Sequence, residues 1–284
     1  MNKVGFIGVG IMGKSMVRNL MKAGFELHIY ARTKSKVEDV IGEGAQFHES
    51  IKDCVQDCDA VITIVGFPQD VEEVYFDEGN ILDSAKEGAY LIDMTTTSPQ
   101  IAEKIYAEGT KRGFHVMDAP VTGGDTGAKA GTLSILVGGE KEDYEACMPL
   151  FEAMGTNINY QGKAGCGQHC KLANQIMIAG TLSGVCEALT YAKEQGLDPE
   201  VFMKSVATGA AGSKQLDTFG PKILKDDYAP GFFMKHFIKD MKLALIEANR
   251  KGLSLDVLSM VLANYEELEQ EGYGDLGTQA LMKF

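Results

Sequence analysis

Residues 3–15 read KVGFIGVGIMGKS, an apolar run of strand length that passes without a polar break into three spaced glycines and then into helical spacing. Met12, Met16 and Leu20, with Val17 and Met21, recur at three- and four-residue steps, and Gly24 stands where a C-terminal cap belongs. Further β-rich runs follow (FELHIY, AVITIV, AYLIDM, FHVMDA and LSILVG), each separated from the next by a helical pattern. That alternation predicts βαβ units, hence an α/β fold with a doubly wound, mostly parallel sheet of the Rossmann type. After NINYQGKAG the strand signals stop. One long helix is expected over residues 168–194, and helical patterns recur from Asp198, broken by GAAGS, YAPGFF and RKGLSLD. A chain of 284 residues can bury two cores. The expected domains are therefore 1–162, the Rossmann domain, and 163–284, an all-α domain joined to it by the long helix.

The first glycine cluster fits two phosphate-binding patterns. GVGIMGKS, from Gly8 to Ser15, matches G-x-G-x-x-G and also matches the P-loop pattern G-x-x-x-x-G-K-[ST]. Both aim backbone amides at phosphate near a helix N-terminus. In the dinucleotide reading Gly8 makes the tight turn, Gly10 lets a pyrophosphate approach, and Gly13 lets the helix pack on the strand, with Ile11 and Met12 completing the binding stretch. The P-loop reading leaves Gly10 without a purpose. The end of the second strand bears on which dinucleotide binds, since a carboxylate there suits the ribose of NAD and an Arg suits the 2′-phosphate of NADP. The sequence here is YARTKSK, where Arg32, Thr33 and Lys36 offer two cations and a hydroxyl and no carboxylate. The expected cofactor is NADP(H).

A net charge of −13 argues against nucleic acid and anionic membranes as partners, because both need clustered Lys and Arg. The N-terminus reads without a signal-peptide layout and no apolar run approaches membrane-spanning length, so a cytoplasmic protein is expected. Six scattered cysteines do not make a disulfide framework, and the Cys54/Cys58 and Cys166/Cys170 spacings differ from redox motifs. Reduced thiols are expected.

Two further stretches carry chemistry. DAPVTGGDTGAKAGTLSILVGG, residues 118–139, reads as a glycine-rich loop that can turn several backbone N–H groups toward a carboxylate, with the Thr122 hydroxyl beside Gly123 and Gly124. GCGQHCKLANQ, residues 165–175, puts Lys171, Asn174 and Gln175 on one helical face at i, i+3 and i+4. Cys166, His169 and Cys170 do not match zinc-site spacings, so no metal is expected. An ammonium held beside a carbonyl can stabilise a developing alkoxide and then protonate it, which is what reduction by a nicotinamide requires.

Four blocks in order, GFIGVGIMGKSMVRNLMKAG, DAPVTGGDTGAKAGTLSILVGG, GCGQHCKLANQ and KDMKLA, make the whole chain resemble the β-hydroxyacid dehydrogenases. That family includes 3-hydroxyisobutyrate dehydrogenase, tartronate semialdehyde reductase and glyoxylate/succinic semialdehyde reductases. The resemblance implies that Lys171 is the catalytic acid and base, that Thr122, Gly123 and Gly124 hold the substrate carboxylate, and that Asn174 is the amide beside the lysine. It implies that Thr96 and Lys239 lie near the nicotinamide, that Val65 and Gly66 form the cofactor-facing turn, and that Gln175, Phe232 and Asp240 line the substrate site. Thr122 stands where many members have Ser, Gln175 where many have a second Asn, and Gly66 where Pro is frequent. A homodimer or homotetramer is implied as well.

The function expected is therefore NADP(H)-dependent interconversion of a small carboxylate-bearing aldehyde and its hydroxyacid, in a cleft at the domain boundary. An NAD(P)-dependent dehydrogenase of the 3-hydroxyisobutyrate type is the near alternative, and an imine reductase on the same fold a further one. A P-loop hydrolase and a non-catalytic NADP-binding regulator are the alternatives from other classes.

Overall fold

A computed structural model describes residues 1–284. Nine strands form one sheet: β1 (Lys3–Ile7), β2 (Glu26–Tyr30), β3 (Gln46–Phe47), β4 (Ala60–Thr63), β5 (Tyr90–Asp93), β6 (His115–Asp118), β7 (Val121–Thr122), β8 (Leu133–Gly139) and β9 (Gly155–Gly162). Six of them lie in the order β3-β2-β1-β4-β5-β6, all parallel, with Val4 opposite Ala60 and Gly5 opposite His28. β8 then runs antiparallel along both β6 and β7, and β9 pairs with β8 in parallel.

The central strands read as unbroken apolar runs because both faces are covered. Val4, Phe6, Ile62 and Ile92 point into one core with Met16, Val17 and Leu20 of the helix Ile11–Lys22. Ile7, Val61, Leu91 and Val116 point into the other with Val71, Tyr75 and Ile105. The first helix ends as its spacing predicts, with Ala23 as cap and Gly24 at φ 94°.

The stretch expected to be a glycine-rich loop is more ordered than that. Val121–Thr122 is a strand, Gly124–Ala130 is a short helix, and Gly131 turns the chain into β8. The Gly127 amide bonds to the Gly123 carbonyl and the Gly131 amide to that of Ala128. These two amides are consumed inside the turn, so the backbone N–H groups left to turn toward a carboxylate are those of the first helical turn.

By contact density the chain divides into two compact units, Met1–Lys171 and Leu172–Phe284. The division falls later than the expected residue 162 because the first turn of the long helix, Cys166–Glu194, packs into the sheet unit. A Cβ on Gly167 would stand 2.4 Å from the Leu136 carbonyl oxygen and 2.8 Å from Asp118 Oδ2.

The second unit gathers the rest of that helix with Pro199–Val206, Lys214–Ile223, Met234–Arg250 and Asp256–Gln270. Its starts follow local chemistry. Asp198 accepts from the Glu200 and Val201 amides with Pro199 in the first helical position, and Ser213 accepts from Leu216. Leu182, Leu189, Phe237, Met241, Leu262 and Tyr265 form the core, where the Tyr265 hydroxyl donates to the Thr278 carbonyl at 2.7 Å.

Against the sequence expectation, the 29-residue helix Cys166–Glu194 is long and apolar enough by composition to cross a membrane, at mean hydropathy 1.2 in its most apolar window. The polar residues His169, Lys171, Asn174 and Gln175 in its first third hide that run from a reading of the sequence. Leu172, Ala179, Leu182 and Leu189 of this helix are buried in the protein's own core.

Candidate functional site

β1, β2, β4, β5 and β6 are parallel, so their carboxyl ends share one edge of the sheet, the edge where open α/β sheets bind ligands at the point where strand order reverses. The glycine turn leaves β1 there. Gly8 holds φ 99°, and a Cβ on it would lie 2.1 Å from the Ile64 carbonyl oxygen. A Cβ on Gly13 would meet the Gly8 carbonyl oxygen at 2.1 Å, so its bareness serves the packing of helix on strand. Gly10 is different, since nothing lies within 4 Å of the position its Cβ would take. No neighbour in the protein requires glycine at that point, whereas an approaching pyrophosphate does. The helix that follows has no side-chain cap and no acidic residue in its first turn, so the amides that open it, Ile11 and Met12 among them, remain to be met by an anion. The residues present thus fit a dinucleotide. Lys14, which a P-loop would send to the phosphates, is committed to Asp39 at 2.8 and 3.0 Å.

Arg32 follows β2. One guanidinium nitrogen donates to Asp70 Oδ1 at 2.7 Å and to Glu73 Oε2 at 2.8 Å, both on the helix Pro68–Phe76. The bond to Asp70 leads in raising the guanidinium pKa, ahead of the opposing effect of burial. The side chain is still 61% exposed, and Thr33 and Lys36 are exposed beside it. Sequence proximity offered three phosphate contacts. The fold adds two carboxylates that compete for the strongest of them.

The turns after β4 and β5 are tied together. The Val65 amide donates to Thr95 Oγ1 at 2.9 Å, and Thr95 in turn donates its own amide to Asp93 Oδ1. Val65, Gly66 and Thr96 are all partly buried in these turns. Asp93 is itself enclosed. It accepts from the Thr63 hydroxyl at 2.8 Å, its Oδ2 has no partner, and burial pushes its pKa up to about 6.

Two residues that the sequence reading did not single out join these turns to the lysine helix. Gln168, fully buried, accepts from the Thr97 amide at 2.9 Å and donates to the Thr95 carbonyl at 2.7 Å. Asp118, at the end of β6, accepts from the Gly165 amide at 2.7 Å and the Gln168 amide at 2.8 Å, capping the helix. Burial raises the Asp118 pKa, against the pull of those two amides. The available signal for Asp118 was an acid closing a buried apolar strand, and Gln168 lay inside the quoted lysine stretch. Lys171 follows Gln168 by three residues and is 7% exposed, whereas His169 and Ala173 on the same helix are exposed.

Thr122 is partly buried and Gly123 and Gly124 are exposed, at φ 128° and 65°. Gly123 caps the short helix without a side-chain bond, and the amides of its first turn have no intrahelical acceptors.

In the helical unit, Asn174 donates to Gln175 Oε1 at 2.8 Å and Gln175 donates to Asp240 Oδ2 at 2.7 Å. Lys239 Nζ lies 3.1 Å from Asp240 Oδ1, an ion pair rather than an aligned hydrogen bond. The structure thus brings together four of the expected residues in this unit. Phe232 is outside that set, its ring packed near His236 and Phe237.

None of the six cysteines is in a disulfide; Cys54, Cys58, Cys147 and Cys186 are buried, and burial pushes all four thiols up. No three His, Cys, Asp or Glu side chains gather where they could hold a metal ion.

Comparison with known proteins identifies the family. Residues 3–162 match the family described as the NAD binding domain of 6-phosphogluconate dehydrogenase. Residues 165–284 match the family described as NAD-binding of NADP-dependent 3-hydroxyisobutyrate dehydrogenase. The chain is 50% identical over 280 residues to the uncharacterized oxidoreductase YkwC of Bacillus subtilis, covering 99% of this chain and 97% of that protein. It is 44% identical over 281 residues to probable 3-hydroxyisobutyrate dehydrogenase-like 1, mitochondrial, of Arabidopsis thaliana, covering 99% and 84%. In structure it matches the 3-hydroxyisobutyrate dehydrogenase of Mycobacterium tuberculosis with L-serine, at a TM-score of 0.91 and 26% identity, over 100% of this chain and 98% of that one. From end to end, then, the chain belongs to the β-hydroxyacid dehydrogenase family, NAD(P)-dependent oxidoreductases of small hydroxyacids.

Proposed function

We propose that the protein interconverts a small carboxylate-bearing aldehyde, a semialdehyde or glyoxylate, with its hydroxyacid, using NADP(H). The observation that carries the reading is Lys171, a buried amine three residues beyond Gln168, whose side chain holds the Thr95–Thr97 turn at the carboxyl edge of the sheet. The dinucleotide supplies or accepts the hydride. Lys171 gives the carbonyl oxygen its proton as the hydride reaches the carbon, and the amine regains a proton from solvent. In the reverse direction it removes the hydroxyl proton. Thr122, Gly123 and Gly124 hold the substrate carboxylate through the hydroxyl and the open amides of the helix start. Asn174, Gln175 and Asp240 contribute polar groups to substrate binding, and Thr96 and Lys239 contribute to binding of the nicotinamide. Met177, Tyr191, Val257 and Met260, large apolar side chains exposed on the helical unit, support a homodimer or homotetramer.

The test is a panel of carboxylated aldehydes assayed by NADPH oxidation and ranked by kcat/KM. A semialdehyde or glyoxylate at the head of the ranking is expected, and no turnover with any member would leave a cofactor-binding regulator instead. Stabilisation against heat by Mg-ATP but not by NADPH would favour a nucleotide hydrolase.

A second reading, an NAD-using dehydrogenase of the 3-hydroxyisobutyrate type, is favoured by the pairing of Arg32 with Asp70 and Glu73, since two carboxylates repel a 2′-phosphate. The readings separate by substitution. If Arg32 holds the phosphate, Arg32→Asp weakens NADPH binding by about tenfold or more with little change for NADH. Glu73→Gln tightens NADPH by about two- to fivefold, the scale of one exposed charge pair. Equal weakening of both cofactors in the first variant would remove Arg32 from the phosphate site.

A further inference from the structure

Gln168 makes the two-point contact with a loop that a neighbouring strand would make. Its amide accepts from the Thr97 N–H and donates to the Thr95 carbonyl, the two residues that flank Thr96. Its own backbone N–H is fixed by Asp118, which also holds Gly165. The contact is rigid for three reasons: the side chain is fully buried, both ends of its amide are bonded, and the helix behind it is held close by a bare Gly167. Lys171 stands three residues further along, on the same buried stripe as Gln168, Leu172 and Gln175. This side chain therefore ties the Thr96 turn directly to the helix that carries the amine.

We propose that Gln168 is a positioning residue for hydride transfer, fixing the turn that carries Thr96 in register with the helix that carries Lys171. The inference rests on the function proposed above, in which Thr96 lies by the nicotinamide and Lys171 by the carbonyl oxygen. Transfer of hydride and proton in one step depends steeply on the alignment of donor, carbon and acid, and misplacement by about 1 Å can cost on the order of 100-fold. Methionine matches glutamine in length and supplies neither bond. In Gln168→Met the Thr97 amide and Thr95 carbonyl lose their partners, and the turn drifts relative to the amine.

The experiment compares wild type, Gln168→Met, Gln168→Glu and Lys171→Ala by steady-state kinetics, using NADPH deuterated at the transferred position and the best aldehyde of the panel. In Gln168→Met we expect kcat to fall by roughly 10- to 50-fold. The aldehyde KM stays within about twofold, because the residues that hold the carboxylate are untouched. The deuterium isotope effect on kcat rises as hydride transfer becomes the slow step. Gln168→Glu keeps the acceptor for Thr97 and regains the donor for Thr95 only when protonated, so its rate relative to wild type rises as pH falls. That variant tests the inference even if the methionine protein fails to fold. A wild-type kcat in Gln168→Met, or a lowered kcat with an unchanged isotope effect, overturns the inference while Lys171→Ala stays strongly impaired. Near-wild-type turnover in Lys171→Ala overturns the reading beneath it.

Discussion

Replacing Lys171 with alanine is expected to lower kcat by about 10²- to 10⁴-fold, the range of general acid catalysis, and further where the ammonium also stabilises the alkoxide charge. Two controls separate chemistry from folding. The variant retains its affinity for the dinucleotide, whose glycine turn lies at the other end of the unit's sequence. Its far-ultraviolet circular dichroism matches that of wild type, which shows that the fold is intact. Lys171→Arg distinguishes the two jobs of the amine. A guanidinium keeps the positive charge but holds its proton too tightly to give it up, so a rate close to that of the alanine variant assigns the effect to proton transfer. Substantial recovery assigns it to charge.

The second large effect concerns stability and pH. Asp93 lies between the turns after β4 and β5, and burial, opposed by bonds from Thr95 and Thr63, pushes its pKa up to about 6 from a usual value near 3.8. A carboxyl whose folded pKa is raised binds its proton more tightly in the folded chain. Its contribution to stability is thus fully present below pH 4 and is lost as pH rises through about 6. Roughly two pH units at 1.36 kcal/mol each give a cost of about 3 kcal/mol above pH 7. Asp93→Asn lacks the titration but keeps an oxygen to accept from Thr63 and Thr95. Denaturant unfolding of the two proteins checks this. The stability of Asp93→Asn relative to wild type is expected to fall by about 2 kcal/mol when the pH is lowered from 7.5 to 4.5. A constant difference over that interval would mean that Asp93 carries no such penalty.

How much of this was legible beforehand depended on whether the signal was local. The strand KVGFI, its glycine turn and the helix after it announce themselves through neighbours in sequence, and the parallel sheet follows from repeating that unit. The face shared by Lys171, Asn174 and Gln175 is equally local, a matter of helical spacing. The partners of Arg32 are not, because Asp70 and Glu73 reach it from a helix about forty residues away. Gln168 and Asp118 were hidden for the same reason, since an amide or an acid shows its use only when the fold brings backbone groups to it. The helix Gly124–Ala130 was hidden differently. Gly124 and Gly127 lower its helix propensity and Gly123 and Gly131 turn its ends, so the stretch reads as loop although its middle closes into helical turns.

The enclosed cysteines have a practical consequence. Four sulfurs, from both halves of the molecule, are shielded and hold their protons at any physiological pH, so a thiol-modifying reagent reaches them at the speed with which the native packing opens. Cys54, Cys58 and Cys147 time the sheet unit, and Cys186 times the helical one. The chain thus carries its own pair of stopwatches, one for each half, readable by mass spectrometry without any label built in.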